Sequence, residues 1–186
     1  MLELLTCDQA ELPEKYHWQI LTFLRAQWPE GFMGENRSRS WITRPAFHPR
    51  SFLLVEDGLL VSHAQVVWKY LEHARQVYKT YGITGVFTFP ALRGQGYASQ
   101  VVHAATEYIL RSDADIAMFH CDPGLAGFYS LCGWLPIYGA VTWIGARDNI
   151  VASDELLMMQ FLSPKGECGR ESFYRESIFF DEDATW

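Results

Sequence analysis

Cysteine is scarce in this chain, and its four copies are scattered. Cys7, Cys121, Cys132 and Cys168 form neither a C-x-x-C pair nor the ligand spacing of a zinc knuckle. Free thiols in a reducing, cytoplasmic setting are expected, with no metal. Long apolar runs are missing too. Nothing approaches the ~20 consecutive residues that span a bilayer, so no membrane partner is expected. The first 14 residues carry Glu3, Asp8 and Glu11 without a basic stretch, unlike a secretory leader. Basic charge is the minority sign: 15 Lys and Arg face 22 Asp and Glu, a formal net charge of −7. That balance argues against nucleic acid as the main partner and suits a cationic small molecule. Repeats, low-complexity tracts and linkers are absent as well. The 186 residues therefore fit one domain, 1–186.

What the chain has is core-forming material. It is 49% hydrophobic and 15% aromatic, which excludes a disordered or fibrous protein. Residues 13–27 place Tyr16, Ile20, Phe23, Leu24 and Gln27 at helical spacing. Residues 28–49, with three prolines and two glycines, predict a loop holding at most a short helix. Asp57-Gly58 joins β-rich runs at 51–56 and 59–71 into a hairpin. A further strand segment over 75–89 ends in the run 82–89. Residues 96–111 give the clearest helix, striped by Ala98, Val101, Val102, Ala105 and Ile109. A strand at 116–121 and a short helix at 125–131, stopped by Gly133, follow. Strands are expected at 140–146 and 156–162, a polar turn at 163–169 and an aromatic-rich segment at 172–180.

Arg93-Gly94-Gln95-Gly96-Tyr97-Ala98 lies between the run ending at Pro90 and that clear helix. Strand, glycine loop and helix start together make an anion cradle, since loop N–H groups and the helix dipole favour a pyrophosphate. Gly94 and Gly96 let the backbone approach a ligand without an intervening Cβ. A P-loop is excluded because no Gly-Lys-Ser/Thr is present. The Rossmann fingerprint fits worse, because its third glycine falls on Ser99 and the nearby acids, Asp113 and Asp115, precede the next strand instead of ending it.

The pattern Arg/Gln-x-x-Gly-x-Gly/Ala at such a junction resembles the acetyl-coenzyme A loop of the GNAT superfamily of N-acetyltransferases. Arg93, Gly96 and Ala98 fill its fixed positions. Phe128-Tyr129 followed by Gly133-Trp134 resembles the superfamily's Phe-Tyr…Gly-Phe segment, and the element order over about 52–134 is similar. The resemblance implies an α/β fold of the α+β type: a single domain whose mixed, mostly antiparallel sheet splays between two central parallel strands, here 82–89 and 116–121, with flanking helices. It also implies acetyl-coenzyme A as cosubstrate and coenzyme A as product. Backbone groups of Val86, Phe87 and Thr88 would line the pantetheine arm, and Arg93, Gly94, Gln95, Gly96, Tyr97 and Ala98 would hold the pyrophosphate. Val86 N–H would polarise the thioester carbonyl, and Tyr129 would act as general acid on the leaving thiolate.

Many members place a glutamate base on the strand before the loop. Here that stretch offers only Thr84 and Thr88, neither a base at neutral pH. A water relay through threonine hydroxyls is one substitute; His120 and Asp122 are others. Asp122 before Pro123 equally suits a helix cap, and His63 is expected to be structural.

Gly133-Trp134-Leu135-Pro136 and the ending Asp181-Glu182-Asp183-Ala184-Thr185-Trp186 resemble the aminoglycoside 2′-N-acetyltransferases. The implied role of Trp186, Asp183 and their neighbours is to bind an amino sugar's ammonium groups; the alternative is a frayed acidic terminus. Phe173, Tyr174, Ile178, Phe179 and Phe180 just before it need a docking surface. Departures from that branch are clear. Thr84 replaces its glutamate and Ala184 one of its acids. Arg37, Arg39, Arg44 and Arg50 occupy a loop where it carries acids. These arginines would serve the coenzyme's 3′-phosphate, an anionic part of another substrate, or simply a solvated face.

The expectation is transfer of an acetyl group to a primary amine of a small cationic acceptor, by direct attack in a ternary complex. Thr84, Asp122, Asp183 and Trp186 would stand on the acceptor side. A protein N-terminus or lysine is the alternative acceptor, and a non-catalytic acyl-coenzyme A sensor the alternative function. A homodimer is compatible with either.

Overall fold

Two tight turns organise the central strands of the computed structural model, which describes residues 1–145 and 150–180. Asp57 and Gly58 take positive φ of 48° and 83°, the left-handed pair whose twist suits a hairpin. They join β2 (Arg50–Glu56) to β3 (Leu59–His73). Ala74 and Arg75, with φ of 47° and 62°, repeat the device between β3 and β4 (Gln76–Thr88). The remaining elements are β1 (Leu2–Asp8), α1 (Glu14–Gln27), α2 (Tyr97–Leu110), β5 (Ile116–Cys121), α3 (Ala126–Leu131), β6 (Leu135–Ile137), β7 (Thr142–Ile144), β8 (Val151–Ala152), β9 (Leu156–Phe161), α4 (Pro164–Arg175) and β10 (Ile178–Phe180).

Seven strands form a mixed sheet in the order β1-β2-β3-β4-β5-β9-β6, and β10-β7-β8 form a smaller one. Antiparallel pairing joins β1 to β2, β2 to β3, β5 to β9 and β6 to β9. The parallel step runs from β4 to β5, through Thr80↔Ile116 and Tyr81↔Ala117. With four α-helices among the described residues, this is the mixed α/β fold the sequence predicts.

The chain forms two compact units, residues 1–67 with 83–105 and residues 68–82 with 106–186. In the first, α1 buries Tyr16, Ile20, Phe23 and Leu24 against Leu53, Val55, Leu60 and Phe87. Phe23 stacks on Phe87 with centroids 4.0 Å apart. The segment 28–49 holds three short 3-10 turns and is pinned by side chains. Gln9 clasps the main chain of Thr43 through two 2.9 Å bonds, and His17 Nε2 donates to Ser40 O at 2.6 Å.

The second unit packs Leu71, Tyr78, Met118, Leu157, Met159 and Phe173 into its core. The polar turn predicted at 163–169 is instead the first half of α4. Ser163 caps it, accepting from Gly166 N at 3.1 Å, and Pro164 occupies its first turn. Its two glycines serve close packing. A Cβ on Gly166 would stand 2.1 Å from Asp115 O, and one on Gly169 2.1 Å from Tyr78 Oη. β1, β6 and β8 have no counterpart in the sequence expectations.

Candidate active site

The glycine loop is built by the end of β4 and the start of α2. Ser62 Oγ donates to Phe87 O at 2.8 Å and lies 2.8 Å from Thr88 Oγ1, fixing the last residues of the strand. Pro90–Leu92 turn the chain, and Arg93 Nε donates back to Thr88 O at 3.2 Å. Gly94 and Gly96 then take φ of 79° and 77°, with open space where a Cβ would project. Arg93, Gly94, Gln95 and Gly96 are exposed, while Tyr97 and Ala98 are half-buried at the head of α2. Among the described residues, the amides of Gly94, Gln95 and Gly96 have no protein partner. No acid stands in the first turn of this 14-residue helix. Free N–H groups at a helix start favour an anion.

Upstream, β4 contains a distortion that has no counterpart in the sequence reading. Gly85 takes φ of 57° inside the strand, the mark of a bulge that re-aims the following residue. That residue is Val86. His63 holds the bulge: its Nδ1 donates to Gly85 O at 2.8 Å. The ring is fully buried, and burial lowers its pKa from 6.5 to about 4. It is neutral at physiological pH, as a donor to one carbonyl should be. Thr84 and Val86 are half-buried; Phe87 and Thr88 are buried.

In the second unit, Tyr129 is buried on α3, its ring 4.6 Å from that of Phe119 and 4.8 Å from that of Phe128. Burial raises its phenol far above the ordinary value, with further contributions from Cys121, Cys132 and Glu155. The hydroxyl therefore keeps its proton at neutral pH. Gly133-Trp134 is the anchor of this helix. Gly133 takes φ of 90° and bonds back to Ser130 O, its carbonyl accepts from Gln160 Nε2 at 3.0 Å, and buried Trp134 Nε1 donates to Thr106 Oγ1 at 2.9 Å.

The two base candidates differ in setting. His120 Nε2 lies 2.9 Å from Thr142 Oγ1 and its ring edges Phe180. Burial, then Lys69, lowers its pKa to about 4. Asp122 is exposed and caps the turn that follows, accepting from Gly124 N at 2.7 Å. The cap reading of its sequence position is thus fulfilled.

Glu155 went unnoticed in the sequence. The register Cys121↔Leu156 places it directly across from Asp122 at the end of the β5–β9 pair. It lies at the surface, but the shielding it has, followed by Asp154 and Asp122, raises its carboxyl above the usual range. Its only sequence signal is the pair Asp154-Glu155 before a β-rich run. Asp183 and Trp186 lie outside the described residues. A cavity lined by Tyr78, Lys165, Cys168 and Arg175 contains none of the predicted site residues.

A model of the acetyltransferase (GNAT) family matches residues 14–134. The chain belongs to this family, and is thereby an acyltransferase whose class draws its acyl group from acyl-coenzyme A. No curated protein matches it. Among solved structures it is similar to ElaA of Escherichia coli, at 18% identity and a TM-score of 0.59, covering 86% of this chain and 98% of that one. An acyl-CoA N-acyltransferase from Pseudomonas aeruginosa is similar at 16% identity and 0.59, covering 86% and 99%. A GCN5-related N-acetyltransferase from Kribbella flavida matches at 18% and 0.52, over 73% of this chain and 34% of that larger one. At these identities the likeness is one of fold.

Proposed function

We propose that the protein transfers an acetyl group from acetyl-coenzyme A to a primary amine of a small molecule, by direct attack in a ternary complex. The observation that carries this reading is the exposed run of unpaired amides at Gly94–Gly96 ahead of α2. Bound acetyl-coenzyme A would supply a thioester carbonyl open to a neutral amine. The chain's residues do the rest. Residues 93–98 hold the diphosphate. Val86, Phe87 and Thr88 align the pantetheine arm by main-chain bonds, with Val86 N–H, turned by the bulge at Gly85, as donor to the carbonyl oxygen. Such a donor is worth roughly 3–4 kcal/mol when aimed at developing charge.

Tyr129 is the proposed proton donor to the departing thiolate, by its place in Phe128-Tyr129; it holds a proton at neutral pH, while its raised pKa makes it a weaker acid than an ordinary phenol. Glu155 is the proposed base, because a raised carboxylate accepts a proton from an ammonium more readily than an ordinary one. Asp122 beside it would help hold a cationic acceptor, with Thr84, Asp183 and Trp186 as further acceptor-side residues. A thiol-release assay over a panel of primary amines tests the reading. Turnover on at least one small amine is expected, whereas coenzyme binding with no turnover on any amine would favour an acyl-coenzyme A sensor.

A further inference from the structure

Six cations of this acidic protein pair with carboxylates. Arg50 pairs with Asp8, Lys79 with Asp113, Arg111 with Glu107, Lys165 with Asp115, Arg170 with Glu167 and Arg175 with Glu171. Arg25 and Arg39 differ from these six, and they lie together. Among the described residues neither has a carboxylate partner, although the chain carries 22 acids. Arg25 instead donates from Nη2 to Arg39 O at 3.0 Å, which holds the two residues together.

The Arg39 guanidinium is half-buried against two aromatic faces. Its Cζ lies 3.8 Å from the Phe32 ring centroid and 4.6 Å from that of Trp41, and Arg25 Cζ lies 5.4 Å from the same Phe32 ring. Its Nε is buried without a hydrogen-bond partner. Burial lowers its pKa, and the charges of Arg25 and Arg44 lower it further. The like charge of Arg25 beside Arg39 opposes folding. Aromatic faces offset part of that opposition and orient the guanidinium as a planar donor, the geometry that takes up a carboxylate or phosphate.

We propose that Arg25 and Arg39, framed by Phe32 and Trp41, form a binding site for the oxyanion of a small molecule. The site belongs to the first unit and does not depend on the acetyltransferase reading. Two sources share this chemistry: a carboxylate or phosphate on the acceptor, and the 3′-phosphate of the coenzyme. An acceptor source, which does rest on the proposed function, would make the substrate an amine that also carries an anion.

Inorganic phosphate is the first probe, followed through the Arg Nε–H signals in NMR. Because phosphate would also enter the glycine loop, the titration uses Gly96→Glu as well as the unaltered chain. A saturable shift of the Arg39 Nε–H signal, retained in Gly96→Glu and weakened tenfold or more in Arg25→Gln, is expected. Arg39→Lys, which keeps the charge but loses the planar fork, should bind at least fivefold more weakly while its thermal unfolding stays close to that of the parent. No saturable shift, or equal affinity in Arg25→Gln, would overturn the proposal whatever the enzyme's activity.

Two further arms assign the source. If the 3′-phosphate is bound, coenzyme A loses its advantage over 3′-dephospho-coenzyme A in Arg39→Lys. If the acceptor is bound, KM rises in Arg39→Lys for an amino acid but not for the corresponding decarboxylated amine, with kcat little changed. Phosphate binding with neither effect would reduce the site to an adventitious anion contact and contradict the proposal.

Discussion

His63 and Gly85 show how a single side chain sets the conformation of a strand. The buried imidazole donates to the carbonyl of the one β4 residue with a left-handed backbone, which holds the chain on either side of it in place. Keeping His63 and His120 neutral has a thermodynamic consequence. Both fold with pKa values of about 4, against an ordinary 6.5. Between these values the unfolded chain binds more protons than the folded one, so stability must fall as pH falls. Unfolding in urea should show full stability above pH 6.5 and a progressive loss toward pH 4, of order a few kcal/mol. His63→Ala should flatten part of that slope; an unchanged profile would show that the ring titrates normally. The same scale holds the proton chemistry. Tyr129→Phe and Glu155→Gln should each lower kcat by ~10²-fold with smaller effects on KM, and only Glu155→Gln should remove the acidic limb of the pH–rate curve. Equal rates in either variant would reassign that role.

At the scale of elements, periodicity and turn chemistry made most of the fold legible. α1, α2, β5 and the Asp57-Gly58 hairpin stand within a residue or two of where spacing put them, because their apolar stripes match the faces they bury. α4 differs from the turn expected at 163–169 for a physical reason. Gly166 and Gly169 suggest a turn, yet here they are helical positions where Asp115 and Tyr78 leave no room for a Cβ. The cap Ser163 and the proline after it were available as a helix start. β1 escaped because it is an edge strand with little burial, so its residues show no strong alternation. Gly166→Ala is expected to destabilise the protein by about 3 kcal/mol, since the obstructing atom is main chain and cannot swing aside. Thermal unfolding unaltered by that substitution would mean α4 packs more loosely than described.

For the whole molecule, the two sequence segments with the highest information fell to different roles. The loop 93–98 keeps its amides open and is the proposed coenzyme cradle, whereas Gly133-Trp134 anchors α3 through Thr106 and Gln160. Motif spacing identified the family, which the match over residues 14–134 establishes. It did not reveal Glu155, because pairing across β5 and β9 brings together residues more than 30 positions apart. Nor did it rank the arginines of the 28–49 segment, whose meaning depends on which acids fold beside them. Acceptor chemistry was the least legible part for the same reason: long-range placement, not local pattern, determines it.

The central claim is that unpaired amides of Gly94–Gly96 grip the coenzyme's diphosphate. Isothermal titration of the folded chain with acetyl-coenzyme A tests it most directly. Saturable binding at one site per chain is predicted, lost at least a hundredfold in Gly96→Glu, whose carboxylate would enter the cradle, with the variant still folded and its unfolding midpoint lowered by only a few degrees, the cost of a side chain at that positive φ. Binding of equal strength in Gly96→Glu, or no heat from the unaltered protein, would contradict the account.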